Sequence, residues 1–283
     1  MSNKNKPLIL VDTSYTSFYR FFATSRWYLM SRDSKEKEDS KEDKNNPEYD
    51  WLSNKIFLEK YEKMYLESII KLIKKKIFAN SNVIFCMDSP KESLWRTQLQ
   101  CSYKGSRVDL SLKHNFKPVF KYTYDTIIPK ILKNNNNIKS IRINKMEADD
   151  IIACICLHYS KINNNQDIYV LSGDQDFLQL GRENIKFINY KSKTIKVLTE
   201  EEAKESLHNK ILLGDVSDCI PSIFPKGTKN KKAIVESKIK LKEYLDKNSE
   251  AKKQYELNQK MIDFTHIPKE HYNSAISEFN KLF

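Results

Sequence analysis

The stretch LILVD (8–12) is a run of four apolar residues that closes on an acid, and NVIFCMD (82–88) repeats the pattern. DIYVLSGD (167–174) ends the same way, and IKSIRIN (138–144) is a fourth apolar run. Runs that are continuously apolar, rather than alternating, predict strands buried on both faces of a parallel sheet. Between them, Leu52 to Ile77 carries an apolar stripe at helical spacing and Glu147 to Ser160 carries another. Strands alternating with helices give an α/β fold class, with a mostly parallel central sheet flanked by helices. In such sheets ligands collect outside the carboxyl ends of the strands, where these acids fall.

Working outward, residues 31–48 hold five basic and seven acidic residues without an apolar position, the composition of a solvated, mobile insertion. Residues 89–137 have few strand signals and many basic or aromatic residues, so they form a long excursion over the top of the sheet. A hairpin is expected across 185–199, turning at Lys191 and Ser192. Thr199 and Glu202 have the spacing of a capping box, and the chain reads helical from there. The expected organisation is a catalytic α/β domain over 1–199 and a helical region over 200–283.

The 283 residues carry 49 Lys plus Arg against 37 Asp plus Glu, a net charge of +12, and 40% of them are hydrophobic. That supports a sizeable core and points to a polyanionic partner. No apolar run approaches the ~20 residues of a membrane span, so a soluble, intracellular protein is expected. Five cysteines without a CxxC pair, and histidines without zinc spacing, argue for a reducing compartment and against zinc.

Nine acids stand out by position: Asp12, Asp88, Glu147, Asp149, Asp150, Asp174, Asp176, Asp215 and Asp218. Singly, each group has an ordinary role, since acids suit a helix's first turn and SGDQD is a turn. Parallel topology, however, would bring most of them to one crevice, and like carboxylates within about 4–6 Å oppose each other's ionisation. Divalent cations supply the compensation. Mg²⁺, or Mn²⁺ in its place, prefers such oxygens, and two ions roughly 4 Å apart suit phosphodiester cleavage.

The series VDTS, FCMD, YKGSR, MEADD, SGDQD and LLGDVSDCIP resembles the 5′-nuclease (flap endonuclease) family, in order and approximate spacing, most closely its phage and bacterial 5′-3′ exonuclease branch. The resemblance covers Leu8 to about Ala233. It implies a PIN-like sheet domain, a helical arch within 89–137, and a helix-three-turn-helix element that grips duplex DNA. It implies that Asp12, Asp88, Glu147, Asp149 and Asp150 hold a first metal. Asp174, Asp176, Asp215 and Asp218 would then serve a second, with Asp174 bridging. From YKGSR it implies that Tyr103 stacks near the scissile nucleotide, while Lys104 and Arg107 neutralise the reacting phosphate. Cys219 and Ser222 stand where the family has Asn and Gly, and only Gly227 remains of its glycine-rich hairpin.

Lysines take over beyond that point. Residues 224–260 contain eleven Lys against five acids, and Lys226, Lys229, Lys231 and Lys232 open this phosphate grip, while Arg96 and Lys113 would contact the free 5′ strand. The implied activity is a structure-specific 5′ nuclease acting on branched or 5′-flap DNA and on RNA/DNA hybrids in replication and repair. It would be a monomer without a sliding-clamp peptide. Two rivals are another Toprim or PIN-like metal nuclease and a catalytically weak DNA-binding scaffold. GDVSDCIP counts against Toprim, and a repulsive acid cluster is of no use to a scaffold that faces a polyanion.

Overall fold

The computed structural model describes residues 6–31, 48–105, 114–162 and 166–282. Most of the expected insertion, together with Arg107 and Lys113, lies outside the described residues.

Among the described residues, six strands form one sheet: β1 (Leu8–Asp12), β2 (Asn82–Met87), β3 (Ile138–Arg142), β4 (Ile168–Leu171), β5 (Ile185–Ile188) and β6 (Ile195–Lys196), in the order β3-β2-β1-β4-β5-β6. Neighbours from β3 through β5 are parallel, and β6 runs antiparallel to β5 as the far arm of the expected hairpin. Strand order reverses between β1 and β4, which makes that gap the switch point where such sheets bind ligands. Val11 pairs with both Phe85 and Leu171, so the residues that follow stand level at the carboxyl edge. Those residues are Asp12, Cys86 and Ser172.

The period of two along each strand sorts the core into two faces. Ile9, Val11, Val83, Phe85 and Leu171 pack with Phe21, Phe57, Tyr61, Tyr65 and Ile69 of α1 (Thr13–Met30) and α2 (Lys55–Ile73). Leu8, Leu10, Ile84, Cys86 and Val170 pack on the opposite side. The helices between those layers and the C-terminus are α3 (Lys75–Ala79), α4 (Trp95–Leu99), α5 (Lys117–Tyr122), α6 (Ile128–Asn134) and α7 (Ala148–Ile162). They continue as α8 (Glu200–Leu213), α9 (Lys231–Val235), α10 (Lys238–Lys247), α11 (Ser249–Ile262) and α12 (Lys269–Asn280).

The single helix expected over 52–77 is broken at Lys74, whose φ of 77° ends α2 and starts α3 on a new axis. The capping box at Thr199 and Glu202 forms, with both reciprocal hydrogen bonds present. The helical region does not leave the sheet for good: Ala275 and Phe279 of α12 join the core that contains Ile151, Ile152 and Ile155 of α7. Cys86, Cys154 and Cys156 are small apolar members of that same core. No helix among the described residues is long and apolar enough to cross a membrane.

Candidate active site

Asp12 is the last residue of β1 and the N-cap of α1, so strand and helix together fix its side chain. Its Oδ1 accepts from the Tyr15 amide at 3.0 Å and its Oδ2 from Ser172 Oγ at 2.8 Å. Asp88, one residue past β2, accepts from the Ala148 amide at 2.7 Å and from the Ser14 hydroxyl. Asp174 caps the 3₁₀ turn at Gln175–Leu180, accepting from the Asp176 amide at 2.9 Å. Gly173 lets that turn close, because a Cβ there would lie 2.5 Å from the Tyr15 ring. Glu147 and Asp149 project from the start of α7. Asp12, Asp88, Glu147, Asp149 and Asp174 thus line one cleft of about 880 Å³, together with Lys104.

The electrostatics of this cleft are those of uncompensated acids. Burial and then neighbouring Asp88 push the Asp12 carboxyl up to about 7. Burial also raises Asp88, against the lowering effect of the Ala148 amide and Ser14. Asp149 is pushed well above the usual carboxylate range by burial and by the charges of Glu147 and Asp150. Glu147 is the exception: burial opposes its charge, but Lys104 and Arg96 outweigh burial and hold it below the usual value. Three acids whose charge is opposed by burial, in a cleft with carboxylate and hydroxyl oxygens, fit a hard divalent cation. The donor set contains no thiol or imidazole.

A second group of Asp176, Asp215 and Asp218 brings one oxygen of each within 4.8 Å of the others. Lys210 of α8 reaches between them, forming an ion pair with Asp176 and lying 2.7 Å from Asp215. Although burial opposes it, contact with Lys210 and Ser217 holds Asp215 down to about 2. Gly214, at φ 72°, makes this turn possible, since a Cβ there would sit 2.3 Å from the Ile220 carbonyl oxygen. The ammonium of Lys210 therefore supplies positive charge to two of these three acids.

Two expected roles, those of Arg96 and Tyr103, are changed by the packing. Arg96 is 3% exposed and does not reach the surface, so it is not a DNA contact; its guanidinium lies 2.7 Å from Asp150 and 3.3 Å from Glu147, and its Nε donates to the Met261 carbonyl at 2.9 Å. Asp150 accepts from Trp95 Nε1 at 2.9 Å and from the Glu147 amide at 3.2 Å, while one oxygen each of Glu147, Asp149 and Asp150 lie within 4.8 Å of one another, close enough to share a cation. Tyr103 is 4% exposed and donates to Glu147 at 2.9 Å, so its ring presents no free face to a base. Lys104, by contrast, lies in the cleft in contact with Glu147.

The cleft supplies another aromatic surface. Phe18 is 37% exposed, 4.6 Å from Phe22 and 5.9 Å from Phe116, and Phe116 lies 5.1 Å from Phe120. Phe18, Phe116 and Phe120 form one wall, with Lys91 and Lys117 beside them. Three residues between 116 and 120 had a signal in the sequence, FKPVF inside a basic excursion, whereas Phe18, Ser14, Ser172 and Lys210 had none beyond nearness to an acid. In the C-terminal region, Lys226, Lys229 and Lys232 are exposed, and Lys231 lies half-buried with its ammonium 5.3 Å from the Phe224 ring centroid.

The sheet order, the flanking helices and the acid-lined switch point define an α/β domain of the PIN-like class. Residues 7–208 match the family described as 5′-3′ exonuclease, N-terminal resolvase-like domain, and the chain belongs to that family. A 5′-3′ exonuclease of Buchnera aphidicola subsp. Acyrthosiphon pisum is 31% identical over 169 residues, covering 57% of this chain and 54% of its own. A 5′-3′ exonuclease of Mycoplasmopsis pulmonis is 28% identical over 191 residues, covering 65% and 59%. The chain therefore spans little more than half the length of these relatives. A ribonuclease H of Enterobacteria phage T4 is 25% identical over 246 residues, with 80% of this chain and 79% of that one covered. Among solved structures, the T5 D15 protein co-crystallised with metal ions superposes with a TM-score of 0.65 at 14% identity, over 98% of this chain and 99% of that one. The bacteriophage T5 D15 flap endonuclease in a pseudo-enzyme-product complex with DNA and metal ions gives 0.62 at 14% identity, over 98% of each. These likenesses carry the fold.

Proposed function

We propose that this protein is a structure-specific 5′ nuclease that hydrolyses phosphodiesters of DNA, and of RNA in RNA/DNA hybrids, near single-strand/duplex junctions. The observation that carries this reading is the cleft in which Asp12, Asp88, Glu147, Asp149 and Asp174 converge beside Lys104, with burial opposing the charge of Asp12, Asp88 and Asp149. A site built for a neutral or anionic ligand alone gains nothing from that arrangement. The neighbours solved with metal ions and with DNA support the same reading.

Asp12, Asp88, Glu147, Asp149 and Asp174 would hold a first Mg²⁺, with Mn²⁺ able to replace it. Asp176, Asp215 and Asp218, with Asp174 shared, would hold a second by displacing Lys210. When bound, the ions supply an activated water and charge neutralisation at the phosphate. The chain's own residues do the rest. Ser172 and the Tyr15 amide orient Asp12, and Ser14 and the Ala148 amide orient Asp88. Lys104 leaves Glu147 for the phosphate as charge builds on it, a preorganised cation in a partly dry site. The Phe18, Phe116 and Phe120 wall receives the unstacked base beside the cut, where stacking contributes about 1–3 kcal/mol. Lys226, Lys229, Lys231 and Lys232 hold duplex backbone without reading its sequence. The protein acts as a monomer in replication and repair.

Incubation with 5′-flap, nicked and blunt duplex DNA, in Mg²⁺ and in chelator, tests the proposal. Cleavage should require Mg²⁺ and prefer the flap, and Lys104→Ala should cut at least ~100-fold more slowly. Tight binding without cutting by the unaltered protein would favour a scaffold instead.

A further inference from the structure

We infer that Tyr124 is a positioning residue for the metal site, acting through Ser14 on Asp88. The inference rests on the cleft being a metal site.

The Ser14 hydroxyl donates to Asp88 Oδ2 and lies 2.9 Å from the Tyr124 hydroxyl. A serine hydroxyl has one proton to give. With that proton on Asp88, the bond at 2.9 Å runs from Tyr124 O–H to Ser14 Oγ, and the chain has one direction: Tyr124 to Ser14 to Asp88. The tyrosine thereby selects the Ser14 rotamer that points at the carboxylate. Asp88 Oδ1 is already fixed by the Ala148 amide, so Ser14 governs the only other oxygen. Burial, followed by the charge of Asp88, raises the Tyr124 hydroxyl above its ordinary value and keeps it a donor.

The backbone around Tyr124 is shaped to put it there. Residues Thr123–Ile127 form one π-helical turn between α5 and α6, in which the Ile128 amide donates to the Thr123 carbonyl five residues back. Pro129 has no N–H for the Asp125 carbonyl, and its ring crowds that carbonyl, so a widened turn is the local solution. Phe116, Lys117 and Phe120, which line the cleft, lie one to two turns earlier on the same run of helix. Two of the three wall residues that would meet substrate, Phe116 and Phe120, and the residue that sets Asp88 are thus carried by one continuous element.

Partners that orient metal-ligating carboxylates typically account for ~10-fold to 100-fold in metal affinity. Mn²⁺ binding to the full chain without nucleic acid, followed by electron paramagnetic resonance, reads this directly. Ser14→Ala should weaken Mn²⁺ binding by about 10-fold or more. Tyr124→Phe should weaken it in the same direction, and the double variant should be no weaker than Ser14→Ala alone. Tyr61→Phe is the control, because Tyr61 bonds Thr123 at 2.8 Å in the same turn without reaching Asp88. It should lower the melting temperature and leave Mn²⁺ affinity unchanged. Unchanged affinity in Tyr124→Phe, or additive losses in the double variant, would overturn the inference while leaving the metal site intact. Absence of Mn²⁺ binding by the unaltered chain would overturn the metal site itself.

Discussion

Arg96 Nη1 lies 2.7 Å from Asp150 Oδ1, and neither side chain reaches solvent. The pair ties α4 to the start of α7, and the Arg96 bond to the Met261 carbonyl adds the end of α11. Removing one partner of a buried pair strands the other charge, at a cost of about 3–5 kcal/mol. Arg96→Ala should therefore shift the denaturant midpoint steeply down, and Arg96→Lys should recover only part of it because the planar fork is lost. Unchanged stability with weakened DNA binding would instead place Arg96 in a nucleic-acid contact.

Stability without metal should fall as pH rises. Asp12 is pushed to about 7 by burial and Asp88, against an ordinary value of 3.8. Between those values the folded chain binds more protons than the unfolded one, so stability declines from about pH 4 to about pH 7 and then levels off. Asp88 and Asp149, also raised, add to the same slope. Bound Mg²⁺ favours the ionised carboxylates, so melting curves should show a larger Mg²⁺-induced gain at pH 8 than at pH 5. An equal gain at both would contradict the assignment.

In the proposed two-metal site, Lys210 would compete with the second cation. Lys210→Met should lower the metal-free melting temperature, because Asp176 and Asp215 lose their shared partner. The same variant should bind its second Mn²⁺ more tightly, since no ammonium has to move. Titration calorimetry on variant and parent separates the two effects.

Cys219 sits at φ 61°, ψ 28°, in the left-handed region, at the tip of the turn closed by the Asp215–Ile220 bridge. A side chain with a Cβ is strained there by on the order of 1 kcal/mol, and Asn tolerates it better. Cys219→Asn should raise the melting temperature by a few degrees without changing cleavage. A lowered melting temperature would show that the thiol's own contacts matter more.

The sheet and its edge were legible because a strand buried on both faces must be continuously apolar. LILVD and NVIFCMD admit little else, and an acid closing such a run has to lie at the rim. Side-chain direction in the short elements was not legible. WR at 95 and 96 presents an indole and a cation, and only the turn of α4 decides that both face Asp150. One signal was available: in a chain where lysine dominates the 49 basic residues, an arginine marks a place that needs a rigid fork. Lys210 and Phe18 were hidden for another reason. Each meets its partners through the fold, more than 30 residues from Asp176 and about 100 from Phe116, where no local pattern reaches.

The most direct measurement is the single-turnover cleavage of a 5′-labelled flap duplex by the parent and by Asp12→Asn, in Mg²⁺ and in chelator, with folding checked by melting. The parent should cut near the junction only in Mg²⁺. Asp12→Asn should melt at or above the parent temperature at pH 8 without metal, since it removes a buried like charge, and should fail to cut. Cleavage by the parent in chelator, or parent-like rates in Asp12→Asn, would contradict catalysis by metal ions held in this cleft.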